Sequence, residues 1–177
     1  GFDYPKPAEV GQDRLADCVG AQFVAGAPAV IVGMGTATTV DILTERGYAG
    51  GIIAPGLGVM TRYLHERTAL LPALDPASLL GGPAIGKSTV DAMRAGCALG
   101  FAGMIGALLD GVCAELVRQG SPMPKVIVTG GAAVYREALP KADLLYLTRV
   151  AGDYEGDTFF PEWNQDNWSL FSMETCS

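Results

Sequence analysis

The stretch Val30–Asp41, VIVGMGTATTVD, decides the fold. An apolar run, Val30–Val32, enters a turn built on Gly33 and Gly35. Thr36, Thr38 and Thr39 follow, and alternation through Val40 and Ile42 carries the chain into Thr44–Gly47. An apolar run, a pair of glycines and an alternating run predict a strand, a turn and an antiparallel strand. Backbone N–H groups in a glycine turn can approach an anion closely, and clustered hydroxyls add donors; this is phosphate-cradling chemistry. The same residues also suit a plain hairpin whose glycines supply only positive φ.

Working outward, Gly1–Glu9 is proline-punctuated and reads as extended. Gln12–Val24 predicts a helix, with Leu15, Cys18, Val19 and Phe23 on one face. Asp13 falls at its start, where a carboxylate suits the first-turn N–H groups. Tyr48–Ile53 supplies a third strand, and Pro55–Gly58 turns the chain into a helix around Val59–Arg67. Leu70–Gly82 is a proline-broken loop. Ser88 with Asp91 three residues on has capping-box spacing and starts a long helix from about Thr89 to Gln119. Gly96, Gly100 and Gly103 on that helix invite close approach of a partner helix, which must offset their cost to helix stability. Lys125–Thr129 reads as a short buried strand ended by Gly130–Gly131. Ala132–Leu139 reads as a helix and Leu144–Val150 as a strand. The order is that of an α/β protein with a mixed sheet.

At 177 residues, with 49% hydrophobic and 18% charged residues, the chain can bury one real core and has little room for a second. The net charge of −7 argues against nucleic acid as a partner. A local cradle for an anionic nucleotide remains compatible with it. Cys18, Cys97, Cys113 and Cys176 show no CxxC spacing and His65 is the single histidine, so buried reduced thiols in a cytoplasmic protein are expected. The N-terminal residues have no basic, apolar signal pattern. The longest uncharged apolar run, Ala95–Leu109, is shorter than a membrane span needs and reads as a buried helix.

Gly81–Ser88, GGPAIGKS, satisfies the Walker A pattern G-x-x-x-x-G-K-[ST]. That motif needs a buried strand immediately before it. Pro72 and Pro76 interrupt the preceding residues, so a true P-loop is not expected. Lys87, Ser88 and Thr89 at a helix start remain suited to an anion or a substrate hydroxyl, or to an ordinary cap.

VGQDR (Val10–Arg14), GTATTVD (Gly35–Asp41), GGIIAPGL (Gly50–Leu57), AIGKST (Ala84–Thr89) and VIVTGG (Val126–Gly131) together resemble type III pantothenate kinases, in this order, across roughly Tyr4 to Gly131. That family belongs to the acetate kinase/sugar kinase/Hsp70/actin-like superfamily. The resemblance implies a ribonuclease-H-like half-domain over residues 1–131 and a homodimer. It implies transfer of phosphate from ATP, with Mg2+, to the hydroxyl of pantothenate at the head of coenzyme A synthesis. It makes Asp13 the general base and sets Tyr4, Gly11, Gln12, Arg14 and Thr89 against pantothenate. It sets Gly35, Thr36, Gly130 and Gly131 against ATP. The family pattern has an aspartate where Gly33 stands, helping to hold a monovalent cation, K+ or NH4+. Gly33 offers no side chain, so no metal ligand is expected there. The family's opening half, with its aspartate- and glycine-rich phosphate loop, has no counterpart in these residues, and activity without it is expected to be weak.

Residues 132–177 continue differently. VTGGAAVYREALPKADLLYLTRV (Val128–Val150), EGDTFFPE (Glu155–Glu162) and NWSLFS (Asn167–Ser172) resemble the C-terminal part of dihydrofolate reductases. That resemblance implies NADPH at Gly130–Gly131, Tyr135 near the cofactor and Thr148 near the folate site. Two alternatives to the kinase follow: a non-catalytic, oligomerising half-domain or chimera, and a fragment that binds NADPH or folate. Phe159, Phe160, Trp163 and Trp168 of a reductase-like tail would lack the rest of the reductase sheet, so Gly152–Ser177 is expected to pack poorly.

Overall fold

The computed structural model describes residues 1–75, 78–79, 82–130 and 169. The chain divides into two units, Gly1–Gly130 and Gly131–Ser177, and every described element belongs to the first. The expectations for Gly131, Ala132–Leu139, Leu144–Val150, Gly152–Ser177 and Cys176 lie outside the described residues.

After a single 3-10 turn at Pro7–Glu9, helix α1 covers Gln12–Ala25. Strands β1 (Ala29–Met34), β2 (Ala37–Thr44) and β3 (Gly47–Pro55) form an antiparallel meander. Helix α2 (Leu57–Glu66) and helix α3 (Thr89–Arg118) lead to β4 (Lys125–Gly130), which pairs parallel to β1. The sheet order is β3-β2-β1-β4, the mixed α/β arrangement expected from the sequence.

Strand alternation sorts the core onto two faces. Ala29, Ile31, Leu43 and Tyr48 pack with Cys18 and Ala21 of α1, and Ile127 of β4 joins them. Val30 and Val40 point the other way and pack with Leu116, Leu108 and Val112 of α3. Helices α1 and α3 thus cover opposite faces of the same strands. Ser88 caps α3 as its spacing predicts: its Oγ accepts from the Asp91 N–H at 3.1 Å.

Three expectations fail. Strand β4 is not buried, since Val126 and Val128 are 47% and 48% exposed. They are the register partners of Val30 and Val32 and share their face, but the α3 residues packed on Val30 do not cover them; an apolar run in sequence cannot tell one-sided from two-sided cover. Nor is α3 a buried helix: of its 30 residues only Met93, Cys97 and Leu116 are buried. Finally, the run bounded by Arg94 and Asp110 understates its apolar length. The helix is long and apolar enough to cross a membrane by length and composition, with mean hydropathy 1.8 and 6% of that window buried.

Candidate active site

Helix α1 presents its first turn as an exposed corner. Gly11 is the N-cap, and Asp13 lies in the turn that follows. A Cβ on Gly11 would stand 2.5 Å from Asp13 Oδ1, so only glycine lets this carboxylate fold back over the helix start. Gln12 and Asp13 are exposed. One residue on, Arg14 turns inward: its Nε and Nη2 donate to Asp41 Oδ1 at 2.9 and 2.6 Å, and Nη2 donates to the Tyr48 hydroxyl at 2.9 Å. The Tyr48 hydroxyl in turn donates to Asp41 Oδ1 at 3.1 Å.

The Arg14 and Asp41 side chains are 15% and 1% exposed, so this pair lies largely out of water. Removing either partner alone would strand a buried charge, at a cost of about 3–5 kcal/mol. Burial pulls the Arg14 pKa down, but the hydrogen bond and charge of Asp41 outweigh it and the net direction is up. Burial and the Asp41 charge push the Tyr48 hydroxyl up, keeping it a donor. Gly51 makes room for the guanidinium, since a Cβ there would lie 2.4 Å from Arg14 Nη2. Tyr4 stands edge-on to Tyr48, ring centroids 5.5 Å apart.

Tyr4, Gly11, Asp13 and Arg14 are therefore gathered on the α1 side of the sheet. Arg14 has Nε and Nη2 committed to Asp41 and Tyr48, so it braces the corner as well as bordering it. Asp17, one turn further along α1, accepts from Thr129 Oγ1 at 2.9 Å. Its pKa is raised by burial, against the pull of the Thr129 bond, with the Asp41 and Asp13 charges adding to the rise.

The Gly35–Thr36 bend lies at the end of the β1–β2 hairpin, and both residues are exposed. Gly56, from the turn after β3, closes on it: its N–H donates to Thr36 O at 3.1 Å, and a Cβ there would stand 2.2 Å from Gly35 O. The Gly35 N–H donates to Ala37 O at 3.0 Å, so it is spent within the turn and is not free for a phosphate. Gly130 ends β4 against Met34, where a Cβ would lie 2.7 Å from Met34 O. Thr89 begins α3, beside α2. It lines an apolar groove of about 300 Å3 with Met60, Leu64 and Cys97, and no described bond or cavity joins it to Asp13.

Asp17, Asp41, Tyr48 and Gly51 were not singled out from the sequence. Asp41 closes the GTATTVD stretch, so its place at a motif end was the available signal; its tie to Arg14 spans 27 residues and leaves no local trace.

The first unit is thus a mixed-sheet α/β fold with an exposed carboxylate at a helix start, a buried arginine–aspartate–tyrosine cluster behind it, and a Gly–Thr bend at the sheet end. A model of the type III pantothenate kinase family matches residues 1–111, and the chain belongs to that family. A dihydrofolate reductase family model matches residues 108–177. A type III pantothenate kinase of Akkermansia muciniphila is 45% identical over 134 residues, 75% of this chain and 53% of that one. Another, from Methylacidiphilum infernorum, is 41% identical over 149 residues, 80% of this chain and 52% of that one. The chain thus spans about half the length of the curated relatives it matches. A solved structure described as a conserved putative Baf family transcriptional activator from Campylobacter jejuni is similar at a TM-score of 0.43. It is 24% identical, over 77% of this chain and 58% of that one, a likeness too slight to carry an inference.

Proposed function

We propose that the chain carries the acceptor side of a cytoplasmic pantothenate kinase, transferring the terminal phosphoryl group of ATP to the pantothenate hydroxyl in coenzyme A synthesis. One observation carries the reading. Asp13 stands exposed at the start of α1, folded over Gly11, with Tyr4 on the same side and Arg14 braced beneath. In this reading the Asp13 carboxylate accepts the hydroxyl proton as the oxygen attacks the γ-phosphorus. The bond to the β,γ-bridging oxygen breaks, and ADP leaves. Tyr4, Gly11, Gln12 and Arg14 position the acceptor. Thr36, with its hydroxyl on an exposed bend, and Gly130–Gly131 face the nucleotide phosphates. Thr89, on the α2–α3 side, meets substrate only if the assembly brings it there.

Mg2+ would arrive with ATP and neutralise charge on the transferring group. Among the described residues no three His, Cys, Asp or Glu converge to hold a metal. Residues 1–131 form the ribonuclease-H-like half in this reading, and 132–177 the reductase-like tail.

Pantothenate-dependent ADP release, measured with the 177-residue chain and with Asp13→Asn, tests the reading. The variant should lose about 10²–10⁴-fold in turnover, with pantothenate binding retained by calorimetry. Turnover indifferent to the change would remove Asp13 as the base. A second reading, an oligomerising half-domain, is favoured by the exposed apolar length of α3, where a Cβ on Gly96, Gly100 or Gly103 would meet nothing within 4 Å. Such a helix also suits the seam of an active homodimer.

A further inference from the structure

Asp41 lies within β2, opposite Ile31 of β1 and Gly51 of β3, and its side chain is 1% exposed. One carboxylate oxygen, Oδ1, takes three donors: Arg14 Nε, Arg14 Nη2 and the Tyr48 hydroxyl. Arg14 Nη2 also donates to the Tyr48 oxygen, so guanidinium, carboxylate and phenol close a ring drawn from α1, β2 and β3. The phenol accepts from the guanidinium and turns its own proton to Asp41. Gly51 keeps the space open, since a Cβ there would collide with Arg14 Nη2 and lie 2.8 Å from Asp41 Oδ1.

Stability does not account for this ring. Apolar side chains of similar volume usually fill a buried site as well as an ion pair does, or better, because no charge has to leave water. Ile31 and Leu43, on the same face of the sheet, show that such packing is at hand. What the ring supplies is direction. A guanidinium held through both Nε and Nη2 cannot turn about its Nε–Cζ bond without breaking hydrogen bonds. Its third nitrogen, Nη1, enters no hydrogen bond among the described residues. In a planar guanidinium that nitrogen points directly away from the oxygen shared by the other two.

We propose that Asp41 and Tyr48 are positioning residues for the acceptor: through Arg14 they aim Nη1 at the substrate bound beside Asp13. Neither touches substrate. Lysine at position 14 would be drawn to Asp41 and would offer no second nitrogen at a fixed angle. The proposal rests on the kinase reading, in which Arg14 borders the acceptor. The ring itself is read in the free chain, so the two can fail separately.

Nitrogen-15 NMR of the 177-residue chain and calorimetric titration with pantothenate test it. The two Nη signals of Arg14, identified by their loss in Arg14→Lys, should be resolved in the parent chain, as slow rotation requires. Tyr48→Phe, which removes only the hydroxyl, should weaken pantothenate binding about 10-fold. Asp41→Asn should weaken it further; Tyr48→Phe spares the ion pair and serves if Asp41→Asn does not fold. In an Arg14→Lys background Tyr48→Phe should cost nothing more, because the nitrogen it aims is gone. An equal loss in both backgrounds would make the hydroxyl merely structural and overturn the proposal. So would unchanged affinity in Tyr48→Phe, or averaged Nη signals in the parent. Resolved Nη signals in a parent chain that does not bind pantothenate would overturn the kinase reading and, with it, the aim assigned to Nη1.

Discussion

Asp17 holds its proton more tightly in the folded chain than in the unfolded one, because burial raises its pKa above the ordinary value of 3.8. The sign of the linkage follows. Its contribution to stability is fully present below the unfolded value and is lost as pH rises through the higher native one. Asp17→Asn should therefore gain stability over the parent chain as pH rises from about 3 to 7. Urea midpoints of both chains across that range check this; a constant difference would mean that Asp17 titrates alike in both states. Gly11, Asp13 and Arg14 were legible because they are contiguous and open a helix. Asp17 was not, since a carboxylate in mid-helix looks like a solvated surface residue. Only the packing of α1 on the sheet reveals its bond to Thr129, 112 residues away.

Elements were the most legible scale. The boundaries of α1, β1–β3 and α3 follow from alternation, glycine turns and the Ser88 cap. What covers those elements was not legible. Apolar runs in α3 and β4 signalled burial, but both are substantially exposed among the described residues, because period and composition report what a residue prefers and not what lies against it. The glycines of α3 turn this into an expectation. With nothing within 4 Å of an added Cβ, Gly100→Ala should stabilise the dilute chain by about 0.5–1 kcal/mol through helix propensity. If α3 is the seam of a homodimer, the same methyl group separates the two backbones, and sedimentation should show weaker association. Stability gained with association unchanged would place the seam elsewhere.

For the whole molecule, charge decides how substrates arrive. The chain carries a net −7. The candidate site does not reverse that locally, since the first turns of α1 hold Asp13 and Asp17 against Arg14, which Asp41 already neutralises. The net charge that argues against nucleic acid extends, under the proposed function, to anionic nucleotides, which would approach against the field of the protein. Screening should therefore help. The association rate of ATP, followed by stopped-flow fluorescence, should rise as choline chloride increases from about 0.01 to 0.15 M, because the Debye length shortens from about 30 to 8 Å. A rate that falls with salt, as it does for a basic cleft, would mean that positive charge from outside the described residues lines the route to the phosphates.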